Sequence, residues 1–298
     1  MSIDAIIIGG PTASGKTEIA HELAKLLNTE IISADSMCVY KFMNIGTAKP
    51  SLEKRKEIKY HMIDLVLPNE YFDTYMYVEK TKEVINKLKL SGKIPIIVGG
   101  TYLYIQALLY GLPETSEPDF KLRKKLESIA NKRGLDFLYE KLKTVDKVYA
   151  EKIGKKDKKR IIRALEVFIN TGKPFSTFHK WQEPKMKVLG FYTNLTQEKL
   201  NENIEKRTYH MIEQGLEVEC INLLCLGYKE AMTSSQAIGY KEMIPYIEGK
   251  ASLKEAIENI IKNTKEYASR QRRWFQKTSF IPIKTLEDIK HHLQSLEL

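Results

Sequence analysis

Eight residues near the start of the chain, GPTASGKT (Gly10–Thr17), have the spacing of a phosphate-binding loop. They match the pattern GxxxxGK[ST], follow the short apolar run Ala5–Ile8 and precede residues with helical periodicity. In such a loop, glycines let backbone N–H groups point at phosphate oxygens, and the helix N-terminus adds partial positive charge. Lys16 would reach the terminal phosphate, and Thr17 would ligate Mg²⁺. The sequence therefore predicts a site for a di- or triphosphate.

The phosphate loop alone does not name the reaction. The strand-like run Ile94–Val98 ends in GGT (Gly99–Thr101), where a hydrolase would usually place an aspartate near Mg²⁺. The sequence also has no guanine-recognition motif of the NKxD type. Both features argue against an ordinary ATPase or GTPase, so the loop could hold a diphosphate that serves as a leaving group.

A second chemically useful residue, Asp35, follows the next strand-like run in ISADSMCVYK. Ligands of open α/β sheets bind at the carboxyl ends of the strands, so we expect Asp35 to lie near the phosphate loop. Its carboxylate could bind a metal, orient a substrate hydroxyl or accept a proton. It could also simply cap a helix, because aspartate favours the N-cap position.

The elements that must position these residues alternate in type through the first 113 residues. Short apolar runs alternate with amphipathic stretches, which predicts an α/β fold with a parallel sheet of the P-loop NTPase type, flanked by helices. The strand-like runs are Ala5–Gly10, Glu30–Ser33, Met62–Val66 and Ile94–Val98, and the helical ones include Gly15–Leu27, Val78–Leu90 and Tyr102–Tyr110. Val188–Thr193 is strand-like again and could return the chain to this sheet.

Residues 114–187 differ from the rest of the chain in both pattern and charge. They contain 20 Lys and Arg against 11 Asp and Glu, whereas residues 1–113 contain 13 against 12 and residues 188–298 contain 15 against 15. Their pattern is helical from Lys121 to about Thr177. We therefore predict a core domain (residues 1–113 and 188–298) and an all-helical basic insertion (residues 114–187). Such a local positive field suits a polyanion, although a solvated lysine-rich surface would look similar.

Composition favours a globular protein without a membrane segment. The chain has 298 residues, 43% of them hydrophobic, and a net charge of +10. No apolar stretch approaches the roughly 20 residues needed to span a bilayer, and the N-terminus lacks the basic start of a signal peptide. The three cysteines form no CxxC pair, which suits a reducing cytosol, so a cytoplasmic location is expected.

The sequence resembles the tRNA dimethylallyltransferase family in its compact bacterial form. The resemblance covers most of the chain and is weakest in Lys121–Lys159. Three motifs carry most of its specificity: IGTAKP (Ile45–Pro50), VGGTYLY (Val98–Tyr104) and QAIGYKE (Gln236–Glu242). It also includes the phosphate loop, Asp35–Ser36, HMID (His61–Asp64), RALEV (Arg163–Val167), TGKP (Thr171–Pro174) and YASRQRRWF (Tyr267–Phe275).

The resemblance implies a role for each matching residue. The diphosphate of dimethylallyl diphosphate would bind Gly10, Pro11, Thr12, Ala13, Ser14, Gly15, Lys16, Thr17 and Arg207. Asp35 would be the general base, with Lys16 and Thr101 as further catalytic residues, and Mg²⁺ would bind at Thr17. Contacts with tRNA would come from Asp35, Ser36, Met37, Cys38, Thr101, Arg123, Lys159, Arg160, Ile161, Ile162, Arg163, Gln236, Ala237, Ile238, Gly239, Tyr240 and Lys241.

The implied reaction moves the dimethylallyl group to the exocyclic amine of the adenosine 3′ of the anticodon, with release of diphosphate. The partners would be the anticodon stem-loop of tRNA and dimethylallyl diphosphate, no membrane would be involved, and the enzyme would be a monomer. A small-molecule P-loop kinase is the main alternative, because it shares the sheet, the loop and an acceptor-activating aspartate. An RNA-binding module with a nucleotide switch would explain the charge but not Asp35.

Overall fold

The computed structural model of the protein describes residues 3–113, 115–178 and 183–295. The chain forms two compact units, a large one of residues 1–109 and 184–298 and a small one of residues 110–183. The sequence predicts these boundaries after residues 113 and 187, a few residues later in the chain than the structure places them, after residues 109 and 183. Each unit has its own cluster of buried apolar side chains.

The large unit contains a six-stranded sheet in which every neighbouring pair of strands is parallel. Its strands are β1 (Ala5–Gly9), β2 (Ile31–Ser33), β3 (Tyr60–His61), β4 (Ile96–Gly99), β5 (Val188–Thr193) and β6 (Ile281–Ile283). They lie in the order β3-β2-β4-β1-β5-β6. The predicted α/β class with a P-loop type of parallel sheet is confirmed, as is the return of Val188–Thr193 to this sheet beside β1.

Helices flank the sheet, which explains why its central strands are apolar throughout. All five residues of β1, AIIIG, are buried, as expected where helices cover both faces of a parallel sheet. The helices of the large unit are α1 (Lys16–Leu26), α2 (Leu52–Glu57), α3 (Thr74–Leu90), α4 (Tyr102–Tyr110), α9 (Gln197–Glu213), α10 (Leu216–Cys225), α11 (Tyr240–Ile247), α12 (Leu253–Phe275) and α13 (Leu286–Ser295). Within the described residues, no helix has the length and apolar character needed to cross a membrane.

The apolar run Met62–Val66 does not form the strand that its composition predicts. The strand β3 ends at His61, and Met62 and Asp64 have positive φ angles of 62° and 56°. Asp64 is instead held by ion pairs with Lys49, at 2.7 Å, and with Arg55, at 2.6 Å. This charged contact keeps the backbone in a left-handed path that a strand cannot follow.

The described residues of the small unit form helices joined by loops and include no strand. Its helices are α5 (Phe120–Arg133), α6 (Leu135–Val145), α7 (Lys147–Ile153) and α8 (Lys158–Thr171). Three of the four helices begin after an aspartate whose side chain accepts a hydrogen bond from the third helical N–H; these are Asp119, Asp146 and Asp157. Such caps satisfy backbone donors that a helix start leaves unpaired.

Candidate active site

The phosphate loop lies between the carboxyl end of β1 and the start of α1. Gly10, Ala13 and Gly15 have φ angles of 143°, 59° and 81°, a backbone path that favours glycine because it lacks a Cβ atom. A Cβ atom on Gly10 would lie 2.0 Å from Thr193 Oγ1, so no side chain fits there. The loop therefore has the tight turn before a helix N-terminus that anion binding requires.

Neighbouring elements hold this loop in place. The hydroxyls of Ser14 and Thr193, at the end of β5, share a hydrogen bond of 2.6 Å. Asn203 on α9 donates to the carbonyl of Ala13 at 3.0 Å. Thr193 and Asn203 were not identified in the sequence, because they belong to no recognised motif and reach the loop only through the fold.

Two cations stand at the loop without a carboxylate partner. Lys16 Nζ donates to the carbonyl of Pro11 at 3.0 Å, and Arg207 Nη1 donates to Thr12 Oγ1 at 2.9 Å. In the described part of the chain, neither forms an ion pair with a carboxylate within 4 Å. The arrangement leaves both charges available to a phosphate group, as the sequence predicts for this loop.

Desolvation acts on both of these cations. Burial lowers the pKa of Lys16 to about 8 and lowers the pKa of Arg207. The carboxylate of Asp35 opposes both shifts, whereas Arg207 adds to the shift of Lys16. The three groups therefore lie close enough to interact, and a bound anion would relieve the unfavourable burial of positive charge.

Asp35 and Thr101 occupy the carboxyl ends of β2 and β4. Asp35 Oδ1 accepts a hydrogen bond from the N–H of Met37 at 2.9 Å, so it caps a tight turn and not a regular helix. Thr101 links the two strand ends, because its N–H donates to the carbonyl of Ala34 and its hydroxyl accepts from the N–H of Ser36, both at 3.0 Å. The side chain of Asp35 remains partly exposed beside the cations.

Tyr267 on α12 joins this site, although sequence reasoning assigned it no role. It interacts with the hydroxyl of Thr101, and burial raises its pKa, with the Asp35 carboxylate adding to the shift. It therefore stays a neutral hydrogen-bonding group. The available signal was its place at the start of YASRQRRWF, but a tyrosine on a helical stripe reads equally well as core packing.

Two of the family-specific motifs meet at one carboxylate, that of Glu219 on α10. Glu219 accepts hydrogen bonds from three consecutive backbone N–H groups, those of Asn44 (3.0 Å), Ile45 (2.9 Å) and Gly46 (3.2 Å). It also accepts one from the hydroxyl of Tyr240, at 2.6 Å. A Cβ atom on Gly46 would lie 2.5 Å from the Tyr240 ring. The motifs IGTAKP and QAIGYKE therefore shape and fix one loop.

The residues of the large unit that are predicted to contact tRNA fall into an exposed or partly exposed group and a buried group. Gln236 is exposed, and Ile238, Lys241, Asp35, Ser36 and Met37 are partly exposed. Ala237, Gly239, Tyr240 and Cys38 are buried. Packing and the Glu219 contact use the side-chain surfaces there, so a tRNA contact at those four positions would have to come from backbone atoms and stays a prediction.

Two other predicted contacts, Arg123 and Arg163 in the small unit, already have a partner. Both are paired with Glu166, whose side chain is fully buried, at 3.0 Å from Arg123 Nε and 2.6 Å from Arg163 Nη1. Arg163 also donates to the hydroxyl of Thr115 and the carbonyl of Ser116. These arginines therefore tie the start of α5 to α8, and only their remaining N–H groups can face a ligand.

The last group of predicted contacts lies at the start of α8. Ile161 and Ile162 are 0% and 5% exposed, within the apolar core of the small unit, so a tRNA contact there would have to come from the backbone and stays a prediction. Lys159 and Arg160 are exposed on the same turn. The helical period explains the split, because residues two apart point in different directions.

The fold and the site together define a protein of the P-loop class, in which two cations and a carboxylate lie at the phosphate loop. The family model described as IPP transferase matches residues 38–278. The chain belongs to this family, that of the tRNA dimethylallyltransferases.

Named relatives agree over nearly the whole chain. A protein of Hydrogenobaculum sp. (strain Y04AAS1) named tRNA dimethylallyltransferase is 90% identical over 298 residues, which is 100% of both chains. A protein of the same name from Aquifex aeolicus (strain VF5) is 57% identical, over 91% of this chain and 89% of the relative. The family makes the chain a transferase, and it favours tRNA prenylation over a small-molecule kinase.

Solved structures show the same fold. A tRNA isopentenylpyrophosphate transferase of Staphylococcus epidermidis is 35% identical, with a TM-score of 0.72, over 98% of this chain and 99% of that one. A eukaryotic dimethylallyltransferase, described as acting on tRNA, is 31% identical, with a TM-score of 0.76, over 92% of this chain and 70% of that one.

Proposed function

We propose that the protein transfers a dimethylallyl group from dimethylallyl diphosphate to the exocyclic amine of the adenosine 3′ of the anticodon in tRNA. The observation that carries this proposal is the pair of cations without ion-pair partners, Lys16 and Arg207, beside the carboxylate of Asp35. Transfer from a diphosphate needs positive charge where the leaving group departs and a base where the amine reacts. Both requirements are met by groups that interact within one site.

The chemistry follows from these positions. The adenine amine is a poor nucleophile, because its lone pair is delocalised into the ring. A C–N bond forms while the allylic C–O bond breaks, and the electron pair of that bond leaves with diphosphate. Asp35 accepts the amine proton, Thr101 lies beside the amine, and Lys16 and Arg207 stabilise the departing negative charge.

The same proposal assigns Mg²⁺ to Thr17 in the first turn of α1. Mg²⁺ in phosphate sites commonly takes one or two protein oxygens and completes its shell with substrate phosphates and water. Within the described residues, no cluster of three or more His, Cys, Asp or Glu side chains could hold a metal, so a hydroxyl and the substrate itself are the fitting donors. When bound there, Mg²⁺ would neutralise charge on the diphosphate.

The tRNA would be recognised through its anticodon stem-loop, whose bases can be splayed outward into a site. The exposed and partly exposed residues support this part of the proposal: Asp35, Ser36, Met37, Gln236, Ile238, Lys241, Lys159, Arg160, Arg123 and Arg163. We propose a monomer, because one chain supplies both the leaving-group cations and the base. We also propose a cytoplasmic location, which suits a tRNA substrate and three free cysteines.

Incubation with labelled dimethylallyl diphosphate and an unmodified tRNA transcript tests the function. The matched control is the same transcript with guanosine in place of the target adenosine. We expect one label per molecule of the transcript that carries the target adenosine and none in the control. Mass spectrometry would locate the modified nucleoside. Equal labelling of both transcripts, or labelling of neither, would contradict the proposal.

A further inference from the structure

A buried glutamine, Gln271 on α12, joins the two loops that carry the reaction. It is 3% exposed. Its Oε1 accepts a hydrogen bond from the N–H of Thr12 at 2.9 Å, and its Nε2 donates to the carbonyl of Gly100 at 2.8 Å. Thr12 belongs to the phosphate loop after β1, whereas Gly100 precedes Thr101 at the end of β4. One side-chain amide therefore spans the leaving-group half and the acceptor half of the site.

The surroundings of Gln271 leave little freedom for this bridge. A Cβ atom on Gly100 would lie 2.1 Å from Gln271 Nε2, so the approach depends on glycine at that position. On the other side, Thr12 uses its N–H for Gln271 and its hydroxyl for Arg207. Gln271 therefore fixes Thr12, which in turn holds the guanidinium group of Arg207.

The amide is well suited to this bridge, because it combines one acceptor and donor N–H groups in a planar side chain. Glutamate would set an acceptor against the carbonyl of Gly100, and methionine, of similar length, would satisfy neither partner. Removing one partner of a buried hydrogen bond leaves the other unsatisfied, which destabilises the bridged arrangement. The loops would then relax toward other partners, and their spacing would change.

We propose that Gln271 is a positioning residue for prenyl transfer, which sets the spacing between the cations of the phosphate loop and Thr101 by acting through Thr12 and Gly100. This rests on the proposed function. Group transfer depends on the spacing of the two reacting centres, and a displacement of about 1 Å can lower the rate by about 10²-fold. Gln271 itself touches neither the diphosphate nor the adenine.

The test compares Gln271→Met with Gln276→Met, a control that changes an exposed glutamine following the same helix. Single-turnover rates are measured with enzyme in excess over tRNA and with saturating dimethylallyl diphosphate, and KM values come from steady-state assays, all at a temperature well below each variant's melting transition. We expect Gln271→Met to lower the rate by about 10²-fold, with KM for both substrates within about threefold of wild type. Gln276→Met should match wild type. If Gln271→Met, once folded, transfers within a few-fold of wild type, the proposal is overturned.

A double-mutant cycle separates positioning from general packing. Gly100→Ala should displace Gln271 and slow transfer about as much as Gln271→Ala, because both substitutions break the same bridge between Thr12 and Gly100. The double variant should be no slower than either single variant, since the methyl group of Ala at position 100 would occupy the space left by the side-chain amide of Gln271. Losses that multiply would overturn the proposal. Wild-type transfer in the same assay tests the function separately: without it, both proposals fail, whereas active wild type with unaffected variants removes only the role of Gln271.

Discussion

Basic residues serve two different purposes in the two units of this protein. In the large unit, Lys16 and Arg207 stand at the phosphate loop without a carboxylate partner in the described chain, and burial lowers the pKa of each. In the small unit, Arg123 and Arg163 share the buried carboxylate of Glu166. The sequence analysis assigned Lys16 and Arg207 to the diphosphate and Arg123 and Arg163 to tRNA, yet only Lys16 and Arg207 have no carboxylate paired with them in the described chain.

This difference shows where a functional requirement lowers the stability of the fold. An uncompensated buried cation destabilises the fold, and a site keeps it because a ligand will neutralise it. A cation paired with a buried carboxylate stabilises its surroundings, because the carboxylate would otherwise be left unpaired. Basic residues that look alike in the sequence should therefore respond oppositely to substitution. Replacing a cation without a carboxylate partner should not lower the free energy of unfolding, whereas replacing a cation paired with Glu166 should lower it.

The largest expected effect belongs to the carboxylate that faces the unpaired cations. Asp35→Asn keeps an oxygen that can accept from the N–H of Met37, but it cannot accept a full proton. We expect the single-turnover rate to fall by about 10²–10⁴-fold, with a melting temperature near that of wild type. Diphosphate affinity should stay equal or increase, because a negative charge beside Lys16 and Arg207 is removed.

Asp35→Ala is the matched variant for this prediction, because it also loses the cap of the turn. Recovery of activity to near wild type by asparagine, but not by alanine, would assign Asp35 to the turn alone. The base would then have to be another group.

The next effect tests the unpaired cations themselves. Lys16→Ala should lower transfer by about 10²–10³-fold, as loss of one charge-stabilising group typically does. Because the substitution removes a partly buried charge without a carboxylate partner, the free energy of unfolding should stay equal or rise. Turnover within a few-fold of wild type, or a clear loss of stability, would show that Lys16 is a structural residue.

The opposite behaviour is expected in the small unit. Arg163→Ala should lower the free energy of unfolding of that unit by about 2 kcal/mol, less than for a fully unpaired buried charge because Arg123 still faces Glu166. Hydrogen exchange of residues 110–183 measures the change. Unaltered protection there would contradict a stabilising role for the Glu166 pairs.

The smallest effect concerns the exposed basic residues at the start of α8. Neutralising Lys159 and Arg160 together should reduce the slope of log affinity for tRNA against log salt by up to about 0.9 per lost phosphate contact. Affinity for dimethylallyl diphosphate should not change. Parallel loss of both affinities would point to misfolding or to a phosphate lid.

Sequence reasoning located the elements and the chemistry that lie within short segments. The phosphate loop, Asp35 and the strand Val188–Thr193 were all predicted, because each has a local pattern of glycines, charge or apolar residues. It could not find Gln271, which reaches Thr12 across 259 positions, nor Asn203, which reaches Ala13 across 190. The pairing of Arg123 with Glu166, across 43 positions, could not be predicted for the same reason. Partners that meet only after folding leave no local pattern.

Titration with inorganic diphosphate tests the central contrast most directly, because it needs neither tRNA nor catalysis. Isothermal calorimetry would compare wild type, Arg207→Ala and Arg163→Ala under one buffer and Mg²⁺ concentration. We predict that Arg207→Ala weakens binding by about 10–100-fold, the loss of one charge-assisted hydrogen bond, and that Arg163→Ala binds within about twofold of wild type. Equal weakening in both variants, or none in Arg207→Ala, would contradict the account.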